Sequence, residues 1–134
     1  MALLDIPVVT EQGPLTGNAR AVLGEVETLL DSLLRTGDGG IVDIRGLPLT
    51  AADRGWLKAQ LGKGEVEIHL DIGGHSSILE TAYPAVWWIE HRDEGGNLVS
   101  EFIQVAYVPE LISAHPDDVE SGLEHLRNRN ADLS

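Results

Sequence analysis

Residues 65–72 read EVEIHLDI, an unbroken alternation. Val66, Ile68, Leu70 and Ile72 fall on one side, and Glu65, Glu67, His69 and Asp71 on the other. A period of two belongs to a strand, because successive side chains leave opposite faces of the pleat. A polar residue at every second place leaves one face to bury. That excludes an interior strand of a parallel sheet, which is apolar throughout, and points to antiparallel pairing. Gly73-Gly74 follows directly and permits the positive φ of a two-residue hairpin turn. HSSILETA is then the returning strand, residues 85–92 the next, DEGGN (93–97) a second turn, and residues 98–108 the last strand. An antiparallel meander is expected at the centre of the fold.

Two helices are expected ahead of the meander and one behind it. Asn18 is a good N-cap, and Val22, Leu23, Val26, Leu29, Leu30, Leu33 and Leu34 recur on one stripe. Arg35 suits the negative end of that helix and Gly37 the left-handed position beyond it. The stripe is too short for a coiled coil, so it is expected to pack on a sheet, with Leu23, Leu30 and Leu34 buried. GGIVDIRG (39–46) reads as a short strand, added to the meander at an edge or between strands. Thr50, with Asp53 three residues on, opens a second helix that turns Trp56, Leu57 and Leu61 inward and ends at Gly62. Pro109 closes the sheet. A last helix begins near HPDD (115–118), where Asp117 and Glu120 have the spacing of a cap and its acid, and Val119, Leu123 and Leu126 form its apolar edge. The order α-β-α-β-β-β-β-α specifies an α+β fold: a mostly antiparallel sheet of about five strands with three helices packed on one face. Residues 1–17, broken by Pro7, Gly13, Pro14 and Gly17, are expected to be extended, and residues 18–134 to form one domain.

The chain carries 22 Asp and Glu against 9 Lys and Arg, a formal net charge of −13. Such a surface repels phosphate backbones and anionic membranes and attracts basic protein patches, so no nucleic acid and no membrane insertion are expected. No apolar run reaches the ~20 residues that span a bilayer. The start, MALLDIPVVTEQGP, lacks the basic head of a signal peptide, which points to a soluble, cytoplasmic protein. The absence of cysteine excludes thiolate metal sites, cysteine-held clusters and thiol catalysis.

The remaining residues form no catalytic constellation. The histidines are His69, His75, His91, His115 and His125, and no HExxH pair exists among them. His69 and His75 flank the first hairpin with Glu65, Glu67, Asp71 and Glu80 near them in sequence, so they are the first place a divalent ion could bind. Their spacing supplies no ligand geometry, and no metal is expected. TGDGG and LGKGEV lead into strands and read as caps and turns rather than phosphate loops. Ser76, Ser77 and Ser100 sit in strands without a nucleophile elbow. The chain reads as a binding protein, not an enzyme, with no catalytic residue and no cofactor.

Trp87 and Trp88 are adjacent in AVWWIEH and must point to opposite faces of a strand. Trp87 shares its face with Ala85, Ile89 and His91; Trp88 shares the other with Val86, Glu90 and Arg92. The second set is the more polar. Trp87 is therefore assigned to the core and Trp88 outward, where an indole anchors partners well. Val86, Trp88, Glu90 and Arg92 form the expected partner-binding set.

The strings IVDIRGLPLTAADRGWLKAQLGKGEVEIHL, ILET, AVWWIEH and VPELISAHPDDV follow in that order. Together they resemble the C-terminal conserved region of the HupH/HyaF family of hydrogenase expression and formation proteins, over roughly residues 18–130. The resemblance implies an accessory protein or chaperone in the maturation of a nickel–iron uptake hydrogenase. It would bind a hydrogenase precursor subunit, the small subunit in particular, or a fellow maturation protein. It implies no catalytic residue. Longer members of the family carry further sequence ahead of this region. The exported small subunit of such hydrogenases carries a twin-arginine signal, which an acidic surface would cradle. The alternative from the residues themselves is a small metal- or ligand-handling protein or enzyme using Glu67, His69, His75 and Glu80.

Overall fold

The computed structural model of the chain describes residues 13–71 and 73–134. The elements are α1 (Gly17–Thr36), β1 (Gly40–Asp43), α2 (Ala51–Leu61), β2 (Glu67–Leu70), β3 (His75–Glu80), β4 (Val86–Arg92), β5 (Leu98–Val105), a 3-10 turn (Glu110–Ile112) and α3 (Pro116–Asp132). Every strand pairing is antiparallel, in the sheet order β1-β5-β4-β3-β2. Strands β2 to β5 are the expected meander, and β1 joins its far edge beside β5. The expected α+β class stands, with five strands and three α-helices among the described residues.

Local chemistry sets the element ends. The Thr16 hydroxyl, not Asn18, caps α1 by accepting from the Asn18 amide, so the helix begins at Gly17, a residue expected to be extended. The Asn18 side chain instead donates to the Pro48 carbonyl. Residues 1–12 of the expected extended segment lie outside the described residues. At the other end Gly37 adopts φ 85°, and its amide reaches back to the Leu33 carbonyl, a left-handed C-cap. Thr50 and Asp53 form the expected capping box on α2. Helix α3 is capped by His115, whose Nδ1 accepts from the Asp117 amide, with Pro116 as the first helical residue. Asp117 therefore lies inside the helix rather than at its cap.

Asp53 does more than close its own helix. Its carboxylate is fully buried and accepts from the Thr16 amide (2.7 Å), the Thr16 hydroxyl (2.7 Å) and the Thr50 amide (3.1 Å). Two helix N-termini thus meet on one acid. Burial works against its charge, but the bonds from Thr16 and Thr50 outweigh it and hold the carboxyl below its ordinary range.

The sheet carries buried residues on both faces. On one, Val22, Val26 and Leu33 of α1 and Leu57 and Leu61 of α2 pack over Val42, Val86, Trp88, Ile103 and Val105. Leu23 and Leu30 are half-buried at the flank of this cluster, and Leu34 is 78% exposed. The buried face of α1 runs through positions 19, 22, 26 and 33. Leu34 lies about 100° around the helix from Leu33, beyond the edge of that narrow face. On the opposite face Ile78, Trp87 and Ile89 are buried, flanked by Ile68, Leu70 and Phe102. The chain after β5 turns across it: the Trp87 indole donates to the Ala106 carbonyl (3.0 Å), and the Glu110 amide donates to Gln104 (3.2 Å). In the alternating stretch Val66 is exposed ahead of β2, and Ile72 lies outside the described residues.

Helix α3 does not join α1 and α2 on the sheet. Each of its residues is exposed. Val119, Leu123 and Leu126 are too sparse an apolar edge, over 17 residues, to bring it down as the fuller stripe of α1 does.

Candidate binding site

The outward place expected for Trp88 is corrected by the structure. Trp88 is 3% exposed and Val86 is fully buried, both under the helix layer. The Trp88 indole donates to Glu101 Oε2 (3.1 Å), and Lys58 of α2 lies 5.0 Å from its ring centre. Glu90 and Glu101 sit directly opposite one another on β4 and β5. Lys58 bonds to Glu90 at 2.8 Å and lies 4.0 Å from Glu101, while Arg54 lies 3.4 Å from the buried Glu101 Oε1. Burial raises the Glu90 carboxyl's affinity for a proton, but the Lys58 bond and charge, with Arg92 behind them, hold it below the ordinary range. The cluster fastens α2 to the sheet. Of the four residues expected to meet a partner, Arg92 alone is exposed. The missed signal was the run from Ala85 to Ile89, apolar without a break, which marks a strand covered on both faces.

The two hairpin histidines do come together. His69 Nδ1 and His75 Nε2 face each other at 3.1 Å. The other nitrogen of His69 meets Glu67 at 2.9 Å, and that of His75 meets Asp71 at 3.0 Å. Glu80, expected in the same group, is drawn away: its carboxylate accepts from the amides of Glu65 and Val66. Among the described residues no group of three or more His, Asp or Glu side chains is arranged to hold a metal ion. His91 pairs with Ser76 on the opposite sheet face, and His125 lies exposed on α3.

An unexpected exposed surface is apolar. Val119, Leu123 and Leu126 stand at i, i+4 and i+7 on α3 and are 58%, 47% and 65% exposed. Tyr107, Val108 and Leu111 are exposed on the segment that leads to this helix. Acids fill the rest of the helix surface early, with Asp117, Asp118 and Glu120 in its first turns. An amphipathic helix whose apolar face is left exposed by the described residues is suited to a groove on another protein. Among the described residues no helix is long and apolar enough to cross a membrane.

Residues 16–133 match the family described as HupH hydrogenase expression protein, C-terminal conserved region. The chain is similar to hydrogenase expression/formation protein HoxQ of Azotobacter vinelandii, 29% identical over 115 residues that cover 82% of this chain and 40% of that protein. It is also similar to hydrogenase expression/formation protein HupH of Rhodobacter capsulatus, 30% identical over 91 residues, 68% of this chain and 33% of that one. The chain thus spans two-fifths or less of the length of these curated relatives. Among solved structures it resembles the hydrogenase expression protein HupH from Thiobacillus denitrificans, with 44% identity and a TM-score of 0.83 over 89% of this chain and 99% of that one.

Proposed function

This chain belongs to the HupH hydrogenase expression protein family through its C-terminal conserved region, and we propose that it serves hydrogenase maturation by binding a precursor subunit without catalysing a reaction. The small subunit before export is the preferred partner. The observation that carries this reading is α3, a whole helix whose apolar stripe is exposed. Its role follows from chemistry: Val119, Leu123 and Leu126 anchor an apolar groove, while the net charge of −13 steers a basic partner surface toward them. Val86 and Trp88 contribute by holding the sheet and helix layer together rather than by contact.

The test is a binding measurement between this chain and the purified small-subunit precursor. Leu123→Glu with Leu126→Glu should weaken binding about 30-fold or more, the scale of losing a hot spot of roughly 2 kcal/mol. Added salt should slow association and leave dissociation nearly unchanged. Because α3 buries no residue, the variant's melting temperature should match the parent's. Unchanged affinity in that intact variant, or no binding by the parent, would overturn the reading.

A further inference from the structure

The hairpin histidines have the arrangement of a metal half-site. An ionised carboxylate only accepts hydrogen bonds. Glu67 therefore takes the Nε2–H of His69, and Asp71 takes the Nδ1–H of His75. With the N–H on each outer nitrogen, the lone pair of each imidazole lies on its inner nitrogen, and the two inner nitrogens are 3.1 Å apart. The ring centres are 5.1 Å apart, which exceeds the nitrogen separation by nearly two ring radii. The rings therefore meet nitrogen to nitrogen, edge on, rather than face to face. Two nitrogens each about 2.1 Å from one ion lie roughly 3.0 Å apart at a right angle and about 3.4 Å apart at the tetrahedral angle. The observed separation falls between these values.

We infer that His69 Nδ1 and His75 Nε2 together bind one divalent transition-metal ion of the kind imidazole prefers, such as Zn2+ or Cu2+. Glu67 and Asp71 are positioning residues, each fixing the tautomer of its histidine as an outer carboxylate does in metal sites. The Ser77 hydroxyl, 3.5 Å from His69 Nδ1, borders the same gap and can hold a water on the ion. Two protein ligands leave positions open, and both imidazoles are about half exposed, so a donor from a second molecule can complete the shell. Mg2+ demands oxygen ligands and is excluded. The fold does not rest on this ion, because the hairpin's hydrogen bonds and both hydrophobic clusters are complete without it.

The test uses the purified full chain and metal alone, so its outcome is separate from that of the precursor-binding measurement. Calorimetric titration with Zn2+ should show one ion per chain, undisturbed by excess Mg2+. The side-chain NMR signals of His69 and His75 should shift, while those of His91, His115 and His125 stay in place. His69→Ala or His75→Ala should each weaken binding at least tenfold, and Glu67→Gln about 10–100-fold, at an unchanged melting temperature. Substituting His115 and His125 by Asn should leave affinity unaltered. Absence of stoichiometric binding in the parent, loss of binding to excess Mg2+, or an affinity indifferent to His69→Ala would overturn the inference.

Discussion

Replacing Trp88 by Phe tests how the tandem tryptophans are used. The substitution keeps a ring in the helix-covered core but removes the indole N–H. That donor is the hydrogen-bond partner of Glu101 Oε2, and the buried Oε1 has no hydrogen-bond partner among the described residues. The variant would leave a 4%-exposed carboxylate held only by the ion contacts to Arg54 and Lys58. An unsatisfied buried polar group costs about 1–3 kcal/mol, and more when charged. The lost ring area adds roughly 1–2 kcal/mol. Together these predict a destabilisation of roughly 2–5 kcal/mol, read from urea unfolding followed by circular dichroism at neutral pH. An outward tryptophan would instead fall within about 0.5 kcal/mol of neutral. The carboxylate's share can be isolated, because removing both partners of a hydrogen bond is nearly neutral. Glu101→Leu added to Trp88→Phe should therefore recover about 1–2 kcal/mol, and the double-mutant cycle should not close additively. A Trp88→Phe cost under about 1 kcal/mol, with an additive cycle, would refute the role given to the Trp88–Glu101 pair.

Two further perturbations examine the helix layer. Asp53→Asn places an amide donor against the Thr16 and Thr50 donors and should cost about 1.5–3 kcal/mol. The parent should lose this contribution as pH falls below the carboxyl's ordinary value of 3.8 and on through its lower folded value, because a depressed folded pKa stabilises only above that window; the variant's acid limb should be shallower by that amount in melting experiments. Leu57→Ala, at a fully buried site, should destabilise by about 2–5 kcal/mol, whereas Leu34→Ala should change stability by less than about 0.5 kcal/mol in the same assay.

The meander, the edge strand and the α2 capping box were legible because each rests on local chemistry: alternation, paired glycines, and Thr50 three residues before Asp53. What was illegible depends on distant partners. Asn18 and Thr16 are both acceptable caps, and only the approach of Asp53 and Pro48 selects Thr16. Val86, Trp88, Glu90 and Arg92 do share a face, as their spacing requires, but polarity alone pointed the wrong way. Lys58 and Arg54, more than thirty residues upstream, neutralise Glu90 and Glu101 and make that face part of the interior. The apolar edge of α3 was visible in the sequence, yet periodicity cannot tell whether a stripe meets its own sheet or another protein. The pairing of His69 with His75 and the nearness of Asp71 were open to expectation from the hairpin; the loss of Glu80 from the group was not, because backbone amides competed for it.

The position of β1 at the far edge of the sheet also sets an order of assembly. Leu70 and Ser76 close the first hairpin across 6 residues, whereas Val42 must find Ile103 across 61. Loop-closure entropy alone makes the second pairing about 2 kcal/mol harder to initiate. Hairpins β2–β3 and β3–β4 are thus favoured as the first folded material, with α1 and β1 docking afterwards as a unit. On the ribosome this reverses the order of synthesis. The stripe of α1 is made first but has no sheet to cover until β5 is complete, roughly 4–14 s later at 5–20 residues per second. During that interval Val22, Val26 and Leu33 have no sheet to cover them, so a fold that ends with one apolar helix stripe exposed begins with another in the same state.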